Sequence, residues 1–99
     1  MNLPDILPDE TKAYKFILFV SGMSVKSVTA IENINKICDQ LLKGKCQLKI
    51  IDVTKYPELA SQYQIIGLPT LIKSEPAPAR MILGDLSETE KVLKILNIE

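Results

Sequence analysis

The feature that most constrains the fold is a short apolar run followed by a glycine-containing break and a long segment of helical period. Residues 14–20 are rich in aromatic side chains and end in a continuous apolar run, which is typical of a strand buried on both faces. The break at 21–24 contains Gly22 and two serines, Ser21 and Ser24, either of which can cap a helix. These patterns predict a buried strand that turns directly into a helix.

The predicted helix covers residues 25–43 and leads to a second strand over 46–53. Its apolar residues fall on one stripe: Val28, Ile31, Ile34, Cys38, Leu41 and Leu42. Lys43 followed by Gly44 is a typical helix end. A strand, a helix and a strand in this order predict parallel pairing with a right-handed crossover.

The second half of the chain predicts a short helix, two strands and a last helix. Pro57 opens the helix over 57–63, and the strands cover 65–72 and 80–83 with a proline-rich turn between them. Ser87 with Glu90 three residues on forms a capping box for the last helix. This order is that of an α/β, thioredoxin-like fold whose mixed sheet includes an antiparallel hairpin. We predict an N-terminal lead-in over 1–12 and a single domain over 13–99.

Composition excludes several classes of protein. Twelve basic and twelve acidic residues give a net charge of zero, which argues against nucleic acid as the main partner and leaves self-association easy. The longest apolar runs are far too short to span a membrane. The acidic, proline-containing N-terminus does not resemble a signal peptide. We therefore expect a cytoplasmic protein with free thiols.

The absence of histidine in the 99 residues removes the commonest general base and metal ligand. Thioredoxin-type enzymes place a Cys-x-x-Cys pair after the first strand, but residues 21–25 contain no sulfur nucleophile. Cys38 and Cys46 are interpreted as small buried hydrophobic residues, and nothing in the sequence supports a disulfide between them. We predict no catalytic residue, no cofactor and no metal, and keep a thiol redox protein as an alternative.

Three further positions are given architectural roles. Pro69 stands at a position where thioredoxin-like folds usually have a cis proline, although a trans turn fits the sequence as well. Asp52 at a strand end and Asp85 in a turn are interpreted as capping residues rather than as an acid–base pair.

Several stretches, in order and with their spacing kept, resemble the KaiB family of circadian-clock and clock-like proteins. The most specific is 82–87, Ile-Leu-Gly-Asp-Leu-Ser, followed by Glu-Lys-Val-Leu at 90–93. Earlier matches are Phe-Val-Ser-Gly at 19–22, Ile-Ile-Asp-Val at 50–53 and Pro-Thr-Leu at 69–71. The resemblance covers residues 14–98.

The resemblance implies a regulatory protein that is not an enzyme. KaiB proteins bind the RecA-like ATPase and autokinase KaiC, compete with a histidine kinase and sequester KaiA. Outside complete clocks they are associated with stress adaptation. They also exchange between a tetrameric ground-state topology and a monomeric thioredoxin-like topology that binds KaiC. The expected partners are therefore a KaiC-like ATPase, further copies of the chain as a dimer or tetramer, and a KaiA-like protein or histidine kinase.

Residue by residue, the resemblance implies three partner-binding positions. Lys73 and Arg80 match positions presented toward KaiC, and Lys49 matches a lysine involved in KaiA capture. Gln64 and Met81 stand where members often carry a lysine and an arginine, which removes positive charge from the expected KaiC-facing surface.

Three further matches, Pro69, Gly84 and Asp85, are expected to be structural. Residues 95–97, Ile-Leu-Asn, replace a Gly-x-Asp of clock members. The loss of a helix-weakening glycine predicts a more populated thioredoxin-like state. A detached sensor domain of a histidine kinase is the remaining alternative.

Overall fold

The central element of the sheet is the first strand, which pairs with two neighbours of opposite polarity. A computed structural model describes residues 14–98. The four strands lie in the order β2-β1-β3-β4, with β1 parallel to β2 and antiparallel to β3. In chain order the elements are β1 (Tyr14–Val20), α1 (Val25–Lys36), β2 (Cys46–Asp52), α2 (Pro57–Gln62), β3 (Thr70–Glu75), β4 (Arg80–Leu83) and α3 (Thr89–Ile95). The mixed, thioredoxin-like sheet with its β3–β4 hairpin is confirmed.

Each face of the sheet carries its own apolar core. Phe16, Leu18 and Leu71 point to the face covered by α1 and α3, whose buried residues include Ile34 and Val92. The opposite face has a smaller core, formed by buried Phe19, Ile51 and Ile72 with Leu59 of α2 packed against them. Because successive side chains of β1 pack into different cores, this strand is buried on both faces, as its sequence predicts.

The long helix differs from its prediction in its last two turns. The α-helical part ends at Lys36, and Ile37–Leu41 continue it as a π-helical segment. The wider turn is visible in the bond from the Leu42 N–H to the Ile37 carbonyl, five residues back, at 3.0 Å. Lys43 and Gly44, both at positive φ, then reverse the chain toward β2.

Two further predictions are wrong. The strand expected over 65–72 begins only at Thr70, because Gln64 has a positive φ and Pro69 has no N–H to donate to a neighbouring strand. The capping box at Ser87 does not form. The Ser87 N–H donates to Asp85 Oδ1, and α3 begins at Thr89 after a residue that gives no side-chain cap.

The predicted lead-in over 1–12 lies outside the described residues. Within 14–98, none of the helices has both the length and the apolar character that crossing a membrane requires.

The turn from β4 into α3 predicts that Gly84→Ala destabilises the protein. Gly84 has a φ of 131°, a conformation that L-residues rarely adopt, and a Cβ there would meet no atom within 4 Å. The cost is therefore backbone strain alone, about 1–3 kcal/mol in the free energy of unfolding. Gly22→Ala is the matched control, since its φ of 55° lies in the left-handed basin and costs about 1 kcal/mol. Urea denaturation measures both. Equal losses for the two variants would contradict the assignment of strain to Gly84.

Candidate functional site

Four chain segments converge where β1, β2 and β4 end and β3 begins. We call this region the sheet-end surface. It comprises the β1–α1 turn (21–24), the residues after β2 (52–54), the loop before β3 (66–69) and the end of β4 at Leu83 and Gly84. In thioredoxin-type enzymes the position after the first strand carries the reactive cysteines. The chemistry that this protein can perform therefore depends on what stands there.

A serine network holds the β1–α1 turn. Ser24 is the N-cap of α1, and its Oγ accepts a bond from the Ser27 N–H at 3.3 Å. Ser24 Oγ also donates to Ser27 Oγ at 2.8 Å, and Ser27 Oγ accepts from the Ser21 N–H at 3.1 Å. Ser27 is fully buried, so its hydroxyl closes the turn from inside. The prediction that Ser24 or Ser21 caps the helix is confirmed for Ser24.

Asp52 ties the end of β2 to the same turn. Its Oδ1 accepts from the Gly22 N–H at 3.0 Å, from the Thr54 N–H at 2.9 Å and from Thr54 Oγ at 2.7 Å. These bonds, led by the one from the Thr54 hydroxyl, lower the pKa of the Asp52 carboxyl. Asp52 therefore acts as a capping residue that clamps two loops together, as the sequence interpretation held.

The loop before β3 is held against the end of β4. The Leu68–Pro69 peptide is cis, and the Pro69 carbonyl accepts from the Gly84 N–H at 2.9 Å. A Cβ placed at Gly67 would lie 3.0 Å from a methyl carbon of Leu83. Glycine at position 67 therefore lets the loop approach the strand closely.

Large apolar side chains at this end of the sheet are left in solvent. The exposed fraction is 80% for Met23, 83% for Val25 and 92% for Ile66, and Leu83 is also exposed. The backbone beneath them is fixed by the Ser24, Asp52 and Gly84 bonds. Ordered and uncovered apolar side chains are characteristic of contact surfaces rather than of reaction centres.

The Gly84-Asp85-Leu86 run joins the sheet-end surface to the core. After Gly84, Leu86 also has a positive φ, of 65°, and its side chain is buried with the α1–α3 core. The Asp85 carbonyl accepts from Asn33 Nδ2 of α1 at 2.8 Å, and Asp85 Oδ1 accepts from Ser87. Beside the run, an open groove of about 460 Å³ lies between β4 and α3. Asn33 has no sequence signal, since its partner is 52 residues away.

The three residues predicted to bind partners do not form one cluster. Lys49 is exposed on β2, at one edge of the sheet, whereas Arg80 is exposed on β4 at the other edge. Lys73 is Arg80's partner in the β3–β4 ladder, but it is fully buried and its Nζ has no hydrogen-bond partner within the described residues. Burial first, and the Arg80 guanidinium second, lower the pKa of the Lys73 ammonium. The partner-binding roles of these residues stay predictions.

Neither cysteine belongs to the sheet-end surface. Cys38 lies in the π-helical segment and Cys46 begins β2, both at the opposite end of the sheet. Both are free thiols. Cys38 is buried, as the sequence interpretation held, whereas Cys46, also interpreted as buried, is only half-buried because it begins an edge strand.

The comparison with known proteins decides the family. The KaiB domain family model matches residues 17–98. The chain is 46% identical over 82 residues to the circadian clock oscillator protein KaiB of a Cyanothece species, covering 83% of this chain and 78% of that protein. It is equally similar to the same protein of Thermosynechococcus vestitus, of which it covers 76%. The chain belongs to the KaiB family.

Solved structures show the fold of this KaiB-family chain. A thioredoxin from Fasciola hepatica superimposes with a TM-score of 0.69 at 15% identity, covering 96% of this chain and 90% of the thioredoxin. The N-terminal domain of Synechococcus elongatus SasA superimposes with a TM-score of 0.62 at 22% identity, covering 98% of this chain and 89% of that domain. The KaiB-family match runs from within β1 to beyond the end of α3, and so includes every segment of the sheet-end surface.

The Asp52 clamp predicts a pH-dependent effect of Asp52→Asn. Because the folded-state pKa is lowered, the carboxylate stabilises the fold at pH values above its unfolded pKa of about 3.9 and loses this contribution as the pH falls through the folded value. Asp52→Asn keeps the acceptor oxygen but not the charge. We expect a lower free energy of unfolding than wild type at pH 7 and a shrinking difference toward pH 2, measured by urea denaturation. A difference independent of pH would contradict the clamp.

The buried ammonium predicts that Lys73→Met stabilises this topology. Methionine fills similar space without a charge to desolvate, so the free energy of unfolding should rise by about 1–3 kcal/mol. Lys49→Met, at an exposed strand position, is the matched control and should change stability by less than about 0.5 kcal/mol. Thermal and urea denaturation measure both variants. A loss of stability in Lys73→Met alone would mean that Nζ has a stabilising partner.

Proposed function

We propose that this protein is a non-enzymatic regulatory protein that binds a KaiC-like RecA-type ATPase and autokinase. The setting is a circadian-clock-like or stress-adaptation system. Membership of the KaiB family supports the proposal, since the similar proteins of Cyanothece and Thermosynechococcus are named circadian clock oscillator proteins.

The observation that carries the proposal is that the sheet-end surface has exposed apolar side chains where thioredoxin-type enzymes have reactive thiols. Where a thioredoxin-type enzyme has nucleophilic sulfur, this chain has Ser21, Ser24 and the thioether of Met23. The two serines are used in the capping network, and the Asp52 carboxylate is used in the clamp. The exposed side chains of Met23, Val25 and Ile66 remain available, and burying such side chains is a main source of binding free energy.

The arrangement of exposed cations fits two partners on different edges of the sheet. Arg80 is exposed on β4, one edge of the sheet, and we propose that it contacts the ATPase. Lys49 lies on β2, the opposite edge, and we propose that it serves a second, KaiA-like partner. The SasA N-terminal domain shares this fold, which supports competition between this protein and a histidine kinase for the same ATPase.

Association can be tested by size-exclusion chromatography with light scattering. The protein is run alone and then with its own organism's KaiC-like ATPase and ATP. Co-elution is the expected result. No shift under any nucleotide condition would overturn the proposal.

Variants then locate the contact. Arg80→Glu and Ile66→Glu, both at exposed positions, should each weaken binding to the ATPase at least tenfold, about 1.4 kcal/mol. Lys49→Glu is the matched control for Arg80→Glu, because it makes the same charge reversal on the opposite edge, and should leave binding to the ATPase within about twofold. Equal effects of Arg80→Glu and Lys49→Glu would contradict separate edges.

A further inference from the structure

The outer edge of β4 carries backbone groups that no strand of the described sheet uses. The Gly84 N–H donates to the Pro69 carbonyl at 2.9 Å, which makes these two residues a hydrogen-bonded pair at the end of the β3–β4 ladder. Hydrogen-bonded pairs recur at every second residue of an antiparallel ladder, so Ile82 belongs to the next one. The N–H and C=O groups of Met81 and Leu83 therefore point away from β3, toward the edge of the sheet.

The side chains of this edge do little to prevent pairing with another strand. Met81 and Leu83 are 47% and 58% exposed. Neither of these outward positions holds a charge, a proline or a bulge, which are the usual protections of an edge strand. β2, at the other edge of the sheet, has the exposed Lys49 in its middle. β4 is therefore the less protected of the two edges.

Space for a further strand lies beside β4. The groove of about 460 Å³ between β4 and α3 is lined by every residue from Met81 to Gly84, so it follows the length of the strand. On its other side the groove is lined by Lys91, Val92 and Ile95 of α3, and Ile95 is 37% exposed. A strand that is hydrogen-bonded to β4 can place an apolar side chain in this groove against Ile95.

We infer that this edge pairs with the β4 edge of a second copy of the chain, antiparallel and with Ile82 opposite Ile82 of that copy. In this register Met81 lies opposite Leu83 of the second copy and Leu83 opposite its Met81, so the outward groups of the two strands form four hydrogen bonds. Registers centred on Met81 or on Leu83 pair only one of the two residues within β4. Because the pairing occupies the β4 edge of both copies, association closes as a two-fold dimer.

The charges at the two ends of β4 favour a copy of the same chain over an unrelated strand. Arg80 is exposed at the first position of the strand, and Asp85 follows shortly after its end. The antiparallel register places Arg80 opposite Gly84 of the second copy and beside Asp85 of that copy, twice in each dimer. Asp85 forms no ion pair within residues 14–98, and Gly84 has no side chain to separate the two charges. Charge attraction therefore favours the same register as the hydrogen bonds.

Arg80 cannot make this contact and the proposed ATPase contact at the same time. The inference does not rest on the ATPase, because it is tested with the chain alone. Failure of either proposal would leave the other standing.

Sedimentation velocity over a concentration series up to the millimolar range tests the dimer. Wild type should shift from monomer to dimer. Met81→Pro removes an outward N–H without touching the bonds to β3 and should raise the dissociation constant roughly tenfold or more, because each dimer loses two hydrogen bonds. Met81→Ala is the matched control, since it keeps the N–H, and should weaken the dimer less. A wild type that stays monomeric, or a dimer that Met81→Pro does not weaken, would overturn the inference.

Cysteine cross-linking tests the register and does not depend on the proline variant. Met81→Cys and Leu83→Cys are made separately in a chain whose Cys38 and Cys46 are replaced by alanine, and the two proteins are mixed and oxidised with diamide. In the inferred register the Cα atoms of 81 and 83 are about 5.5 Å apart across the dimer, within reach of a disulfide, whereas the two copies of residue 81 are about 7–8 Å apart. Mass spectrometry should find the mixed disulfide dimer in excess of its statistical proportion. A statistical mixture, or no cross-linked dimer, would contradict the inference.

Discussion

The structure depends on the pairing of β1 with one parallel and one antiparallel neighbour. The parallel pair with β2 requires the long crossover through α1, which covers one face of the sheet. The antiparallel pair with β3 brings the C-terminal half of the chain to the other side of β1. Phe16 packs into the core on one face of the sheet and Phe19 into the core on the other, so neither core can form without the central strand.

The same pairing decides what kind of site the sheet end becomes. It gathers four loop segments whose backbone is held by the hydroxyl of Ser27, the carboxylate of Asp52 and the N–H of Gly84. In a thioredoxin-type enzyme this place supports thiolate chemistry. Here these polar groups form the hydrogen bonds that fix the loops, and apolar side chains such as Ile66 are exposed to solvent. The sheet-end surface therefore combines a backbone held by hydrogen bonds with apolar side chains that no part of the described chain covers.

Local patterns predicted the elements whose limits are set by local chemistry. β1 and β4 have the predicted bounds, and α2 begins at Pro57 as the first-turn preference of proline requires. Prediction failed where tertiary contacts decide. The apolar residues 65–69 have the composition of a strand, but only Thr70 onward finds neighbours to pair with. Ser87 has a cap-forming sequence, but Asp85 takes its N–H. The bond from Asn33 to the Asp85 carbonyl joins residues too far apart for any local pattern to indicate.

Lys73 and Arg80 show why a resemblance alone does not place side chains. The two residues are direct neighbours on adjacent strands, and both match positions expected to face a partner. β4 is an edge strand and leaves Arg80 in solvent, whereas β3 is an interior strand on which Lys73 shares a face with Phe16 and Leu71. Arg80 can therefore meet a partner in this topology without rearrangement. Lys73 can do so only if the structure around it changes, because its ammonium is buried without a hydrogen-bond partner among the described residues. Any contact through Lys73 would therefore require the residues packed around its ammonium to move, whereas a contact through Arg80 would not.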